Sequence, residues 1–451
     1  MQVTKYFLVS IIFLPFLSCS EKREASSKSE LELNLNKVAE GYVRLVLQVG
    51  LYDPDYVDAY YGPEEWKPKE SSKDFDSVIV ADLQNTADGL LNELDKLGKY
   101  EATEIEKKRY RFLYKHLLSV KGKLYMIAGG KFSFEQEAKI LFDTEVPDFP
   151  DEYFIEILKE LDKILPGKGN LPERMNELRK KFIIPVEKLD TVFKTAIAEC
   201  RKRTLSHLKL PENESFKVEY VKDQPWGAYN WYKGNNFSVI QVNIERPIYI
   251  ESAVGLAAHE GYPGHHVYNS LLEMNLTVGK KWIEFSVYPL FSPLSLIAEG
   301  TANLGVEMIF PGDSKIKFEK EILFPLAGLN PANADLYYKV IYLADKLGYA
   351  DIHCAKNYLD GNWTRDHAID YLVNYTLSTK ERVEKKIQFI ERYRAYVVNY
   401  DFGKDLIGSY LMYNGGSESN PDRRWELFNE LLSTPQTPSG LMSELSGDQT
   451  N

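Results

Sequence analysis

Between residues 259 and 266 the chain reads HEGYPGHH, which places three of its seven histidines within eight residues and sets Glu260 directly after the first of them. Neutral imidazoles and carboxylates are the usual protein ligands of a zinc ion that keeps one coordination position open. A further glutamate beside that position can take a proton from water. The common HExxH arrangement sets two histidines one helical turn apart on one face. Here Pro263 stands where the second histidine belongs, and histidines come only at His265 and His266. On an unbroken helix His266 returns to the face of His259 about 10 Å further along the axis, too far for a shared ion. Pro263-Gly264 offers the remedy, because proline lacks a backbone donor and glycine adopts dihedrals closed to other residues. A kink or bulge there brings His265 or His266 to the metal, with His265 preferred.

A third ligand is expected from a second helix. Ala298-Glu299-Gly-Thr-Ala-Asn303-Leu-Gly-Val-Glu307 sets a glutamate in an apolar run, where an unpaired carboxylate is costly to bury. Ligation by Glu299 compensates that cost, and Glu307, about two turns later, is expected to orient a histidine from outside the ligand set. One zinc ion is expected, since histidine and glutamate ligands suit it well.

Side chains this far apart in sequence need separate elements to position them. Segments 35–50, 76–99, 103–128, 134–143, 151–163 and 171–206 carry apolar residues at helical spacing. The stretch 214–250 differs: Phe216-Lys-Val-Glu-Tyr220 alternates and Phe237-Ser-Val-Ile-Gln-Val-Asn243 is rich in β-branched residues, so a small sheet is expected just before a motif helix that starts near Glu251. Helical patterns resume at 294–309, 331–358, 364–376, 379–399 and 422–432. The expected fold is mainly α, a large multi-helix body over residues 35–445 with one small sheet next to the metal-site helix. Its helical half covers about 35–213 and its metal-site half about 214–445.

HEGYPGHH followed by AEGTANLGVE strongly resembles the bacterial domain-of-unknown-function family 885, with its HExxPGHH segment and later EGxA segment, over about residues 36–445. The strand Asn235-Asn-Phe-Ser-Val-Ile-Gln-Val-Asn243 is similar to the family's strand before the motif. The resemblance implies a helical, zincin-like metallopeptidase with His259, one of His265 and His266, and Glu299 as ligands, and Glu260 as general base. Family members usually carry Pro-Gly-Gln-Ala ahead of a Tyr-x-x-Gly near the C-terminus, of which this chain keeps only Tyr400-Asp-Phe-Gly403. The oxyanion of a peptidase intermediate needs a donor beside the metal. Tyr400 and Tyr396 are the candidates, with Arg392 or Arg394 as a clamp for a substrate carboxylate. His353 and His367 lie in helical context with no motif and read as structural.

Residues 1–19 read as a bacterial lipoprotein export signal: Lys5, an apolar run from Tyr6 to Leu17, then Ser18-Cys19. Cleavage before Cys19 would leave it acylated, and more than one acyl chain gives stable anchoring. The Glu, Lys and Ser of 20–34 read as a flexible tether to the folded body. The protein is therefore expected in the cell envelope, lipid-anchored and periplasmic or surface-exposed. There Cys200 and Cys354 could form a disulfide. With 44% hydrophobic and 13% aromatic residues in 451, the chain can bury a large core, and its formal charge of −11 argues against a nucleic-acid partner.

The expected activity is hydrolysis of peptides by metal-activated water with Glu260 as base. Two alternatives stand beside it: hydrolysis of another amide or ester, such as a cell-wall fragment, and a ligand-binding lipoprotein without catalysis. Intact Glu260 speaks against the last, since a binding protein has no use for a base at the metal.

Overall fold

The computed structural model describes residues 18–70, 73–224 and 226–447, and side chains from residue 30 onward. The export signal over residues 1–17 and the side chain of Cys19 lie outside the described residues.

The first half is helical, with α1 (Ser18–Val49), α2 (Ser77–Leu97), α3 (Glu104–Ile127), α4 (Phe134–Phe142), α5 (Asp151–Ile164), α6 (Leu171–Arg179) and α7 (Val186–Leu205). Local chemistry sets their starts. Asp76 accepts from the backbone amides of Val78 and Ile79, and Thr103 with Glu106 and Ser133 with Gln136 form capping boxes. Two expectations change here. Residues 20–34, read as a tether, are the first part of α1: Glu, Lys and Ala are good helix formers, and Leu31 and Leu35 are buried in the core. The segment 171–206 is two helices, because Pro185 disfavours helical backbone at Ile184. Ile184 donates instead to the carbonyl of Ile248 at 2.9 Å, docking the break beside the approach to the motif.

Two small sheets follow. Strands β2 (Ser215–Val221), β3 (Ala228–Tyr232) and β4 (Phe237–Asn243) pair in the order β2-β4-β3, with β4 central, parallel to β2 and antiparallel to β3. Along β4 every second residue, Ser238, Ile240 and Val242, is buried, as its alternation requires. Strand β1 (Val57–Tyr60) pairs antiparallel with β5 (Val287–Pro289), a ribbon too short to show a pattern in the sequence.

The second half holds α8 (Ile250–Leu256), α9 (His265–Leu272), α10 (Pro293–Ile309), α11 (Ser314–Phe318), α12 (Phe324–Ala327), α13 (Ala334–Asp345), α14 (Tyr349–Leu359), α15 (Arg365–Tyr375), α16 (Lys380–Tyr393), α17 (Asp401–Tyr413), α18 (Pro421–Ser433) and α19 (Pro438–Ser446). The segment 331–358 is broken before Gly348, and 379–399 leaves α-helical geometry at Arg394, whose φ is +53°. Helix α10 is apolar nearly all round and buried without interruption from Pro293 to Ala302, so it forms the centre of the body. It crosses α17 backbone to backbone: a Cβ on Gly300 would lie 2.5 Å from the carbonyl oxygen of Gly403. The two halves are tied by Arg109 on α3, which donates to both carboxylate oxygens of Glu284 at 2.6 and 3.0 Å, with both side chains at most 1% exposed. Cys200 and Cys354 are buried and, among the described residues, unpaired, so the disulfide between them does not form. Among the described residues no helix is long and apolar enough to cross a membrane.

Candidate metal centre

Helix α8 does not run straight into the motif. Over Ala257–Gly261 it widens to a π turn, with the amide of Tyr262 donating to the carbonyl of Ala257 at 3.1 Å. The amide of Gly264 then reaches back six residues to the carbonyl of Ala258 at 2.9 Å. A Cβ at position 264 would stand 1.9 Å from the His259 carbonyl oxygen, so only glycine fits. Helix α9 restarts at His265. The widened turn and the break absorb the extra residues of HEGYPGHH, which is how π bulges serve functional sites elsewhere.

The result is a triad. Nε2 of His265 lies 3.1 Å from Nε2 of His259, and Oε2 of Glu299, on α10, lies 3.2 Å from His259 Nε2 and 3.7 Å from His265 Nε2. The three ligand atoms fall within 4.8 Å of one another. Donors at zinc–nitrogen distance from one tetrahedral ion stand roughly 3.3 Å apart, so the spacing fits. Oε2 of Glu299 is buried and accepts no well-directed hydrogen bond, which is the state of a carboxylate oxygen aimed at a cation. His259, His265 and Glu299 therefore form a candidate metal-binding triad of two imidazoles and a carboxylate.

Neighbouring groups hold the ligands in place. Oδ1 of Asn303 can only accept, so His259 Nδ1–H donates to it at 3.0 Å and leaves Nε2 facing the triad. Asn303 in turn donates to the carbonyl of Tyr400 at 3.2 Å. The Tyr396 hydroxyl donates to Oε1 of Glu299 at 2.8 Å. Glu260 is buried on the cavity wall, with Oε2 lacking a partner and its backbone carbonyl accepting from Asn230 of β3 at 2.7 Å. Burial pushes its carboxyl above the usual range, with Glu299 adding and the two histidines opposing. His259 shows the balance from the other side: burial disfavours its cation, but Glu299 and Glu260 outweigh this and raise it to about 9. Glu299 is held well below the usual carboxylate range, its burial overcome by His265 and His259.

Four expected site residues stand elsewhere. His266 faces away from the triad: Nδ1 meets Ser238 Oγ of β4 at 2.9 Å and Nε2 meets Glu214 Oε2 at 3.0 Å, fully buried. In a chain that turns sharply at Gly264, consecutive histidines on α9 point to different sides, and His265 is the one on the cavity side. Glu307 touches no histidine but pairs with Lys404 at 2.7 Å, because it lies on the half-exposed side of α10. Asn303, one turn after Glu299, does the orienting. Arg392 donates to Asp55 at 2.6 and 2.7 Å instead of facing the cavity, and Arg394 pairs with Glu137 at 2.7 Å. His353 stacks on Tyr371 near Asp151, as a structural histidine does.

The cavity contains groups that the sequence did not single out. Asp58, delivered by β1, accepts from the Tyr229 hydroxyl, and burial pushes it up to about 6 despite that bond. Tyr288 of β5 and Tyr393 line the same wall beside the expected Tyr400, whose hydroxyl burial keeps protonated, with Glu299 and Glu260 adding to the effect. Asp58 sits in an ordinary-looking VDAY run with no motif to signal it.

No family model and no curated protein matches the chain. The fold is similar to the crystal structure of "the putative lipoprotein from Colwellia psychrerythraea", with a TM-score of 0.50 and 16% identity over 85% of this chain and 70% of that one.

Proposed function

We propose that this protein is a zinc-dependent hydrolase that cleaves peptides, held in the cell envelope by a lipid on Cys19. The observation that carries the reading is the convergence of His259, His265 and Glu299 beside Glu260, a buried carboxylate with a free oxygen on the wall of the same cavity. The description of the structural neighbour as a lipoprotein supports the anchor. The HEGYPGHH and AEGTANLGVE segments, in their resemblance to family 885, support the metallopeptidase class.

His259, His265 and Glu299 would hold zinc, which when bound supplies Lewis acidity to a water and a carbonyl. Glu260 takes the proton of the water and returns it to the leaving amine, a task suited to a carboxyl whose proton affinity burial has raised. Tyr396 is engaged with Glu299, so it steadies a ligand. Tyr400 is the better donor to a developing oxyanion, since it lines the cavity with its proton retained.

The test is metal content and turnover together. Purified protein is expected to hold one zinc per chain; His259→Ala loses it, and Glu260→Gln keeps it while peptide cleavage falls by about a hundredfold or more. Zinc retained with cleavage unchanged in Glu260→Gln would leave a metal-binding lipoprotein without this chemistry.

A further inference from the structure

The cavity of the triad opens into a second, larger cleft. His259, Glu260, Trp226, Ala228, Phe389 and Tyr400 belong to the walls of both. The far part of this cleft is basic. Arg246, Arg382, Lys385 and Lys386 line it against one carboxylate, Asp351, in a protein whose formal charge is −11. Asp351 is already taken by Lys386 at 2.7 Å. The nearby Glu251 is taken too, by Arg179 at 2.8 Å and by the Tyr337 hydroxyl at 2.6 Å.

Among the described residues Arg382 has only a carbonyl partner, that of Pro247 at 3.1 Å, and lies over the Tyr249 ring. Among the described residues a buried guanidinium nitrogen of Arg246 has no partner. A buried, unpaired donor on a cation is costly unless something meets it. Burial, with the neighbouring Arg179 and Arg246, holds Arg382 below its ordinary value, and Tyr249 and Glu251 oppose this only in part. The group that would complete such a site is a carboxylate, which guanidinium recognises in a directional way.

The spacing sets the scale of the separation between that carboxylate and the triad. The cleft follows α8 and its widened turn from Ser252 to His259, and α16 from Arg382 to Phe389. Along α16 this is seven residue steps of α-helix, about 10 Å of rise. An extended peptide covers about 3.3–3.6 Å per residue, so the span corresponds to roughly three residues. We propose that Arg246, Arg382 and Lys385 bind a carboxylate of a short peptide, placing it roughly three residues from the bond presented to His259, His265 and Glu299. This rests on the peptidase reading for the bond but not for the carboxylate site, and it transfers the clamp expected of Arg392 to the opposite end of α16.

The experiment uses the zinc-loaded full chain carrying Glu260→Gln, so that peptides bind without being consumed, and reads affinity by calorimetry. The probes are a short alanine-rich peptide acid, its C-terminal amide, and the amide with aspartate as its last residue. The acid is expected to bind about tenfold more tightly than the plain amide, the worth of one charge-assisted contact. In the double variant Arg246→Gln, Lys385→Gln that preference should shrink to about twofold or less. Tight binding of the aspartyl amide would assign the site to a side-chain carboxylate, and weak binding to the chain terminus; either supports the site. Equal affinity for acid and amide, binding of neither, or a preference that survives the double variant overturns it. If the parent with Glu260 intact cleaves none of the probes while the acid preference holds, the peptidase reading fails and the carboxylate site stands.

Discussion

The division of labour between His265 and His266 shows how narrowly a side chain's role depends on its direction. The two are adjacent, yet one faces a glutamate that can share a metal and the other a glutamate, Glu214, that is also bonded by Tyr262 and Arg201. Replacing His265 with Ala is expected to abolish zinc binding. His266→Ala instead leaves Glu214 short of a partner and lowers stability by about 1–3 kcal/mol, read as a shift in urea unfolding. Asn303 makes a gentler prediction. Asn303→Ala removes the acceptor that orients His259, so zinc affinity should fall about 10- to 100-fold with the fold retained, measured by competition with a chelating dye.

At the level of elements, the site is a junction of one interrupted helix, one buried helix and a short ribbon. The interruption was legible: a proline-glycine pair inside a helical pattern marks a break, and the histidine spacing demands one. Its form, a widened turn over Ala257–Gly261, was not, because each residue there is helix-compatible and only tertiary packing selects the wider geometry. The sheet was legible from the β-branched run of β4. The ribbon that delivers Asp58 was not, since strands of four and three residues show no period. Glu307 was misjudged because sequence gives its position on the helix but not which side neighbours fill, whereas Glu299 stood out by its apolar surroundings. Gly300 tests the junction directly. Gly300→Ala must push α10 off α17, and since overpacking in a close-packed interior costs about 1–3 kcal/mol, a loss of that size in unfolding is expected together with weaker zinc binding.

For the whole molecule, burial of charge shapes the response to pH. Glu319 is fully buried, and burial pushes it up to about 7 although Lys315 Nζ stands 3.0 Å away. An unfolded chain returns this carboxyl to its ordinary range near 4.5. The folded state therefore holds a proton there that the unfolded state has released, and the stability this brings is full below the unfolded value and is lost as pH rises through about 7. Its contribution amounts to about 3 kcal/mol, so Glu319→Gln should flatten the decline in stability between pH 5 and pH 8 by about that amount, measured by urea unfolding across the range.

The contact of Gly300 with Gly403 also bears on the order of events during synthesis. Helix α10 brings Glu299 and Asn303 out of the ribosome about a hundred residues before α17, its backbone-to-backbone neighbour, exists. Tyr396, which steadies Glu299, also comes late. A chain that folds from its N-terminus as it emerges would carry the histidine segment early but lack the buried environment that sets their geometry. Metal capture is thus expected only of the completed chain, and a truncation ahead of α17 is expected to lose the candidate site even though His259, His265 and Glu299 all remain in its sequence.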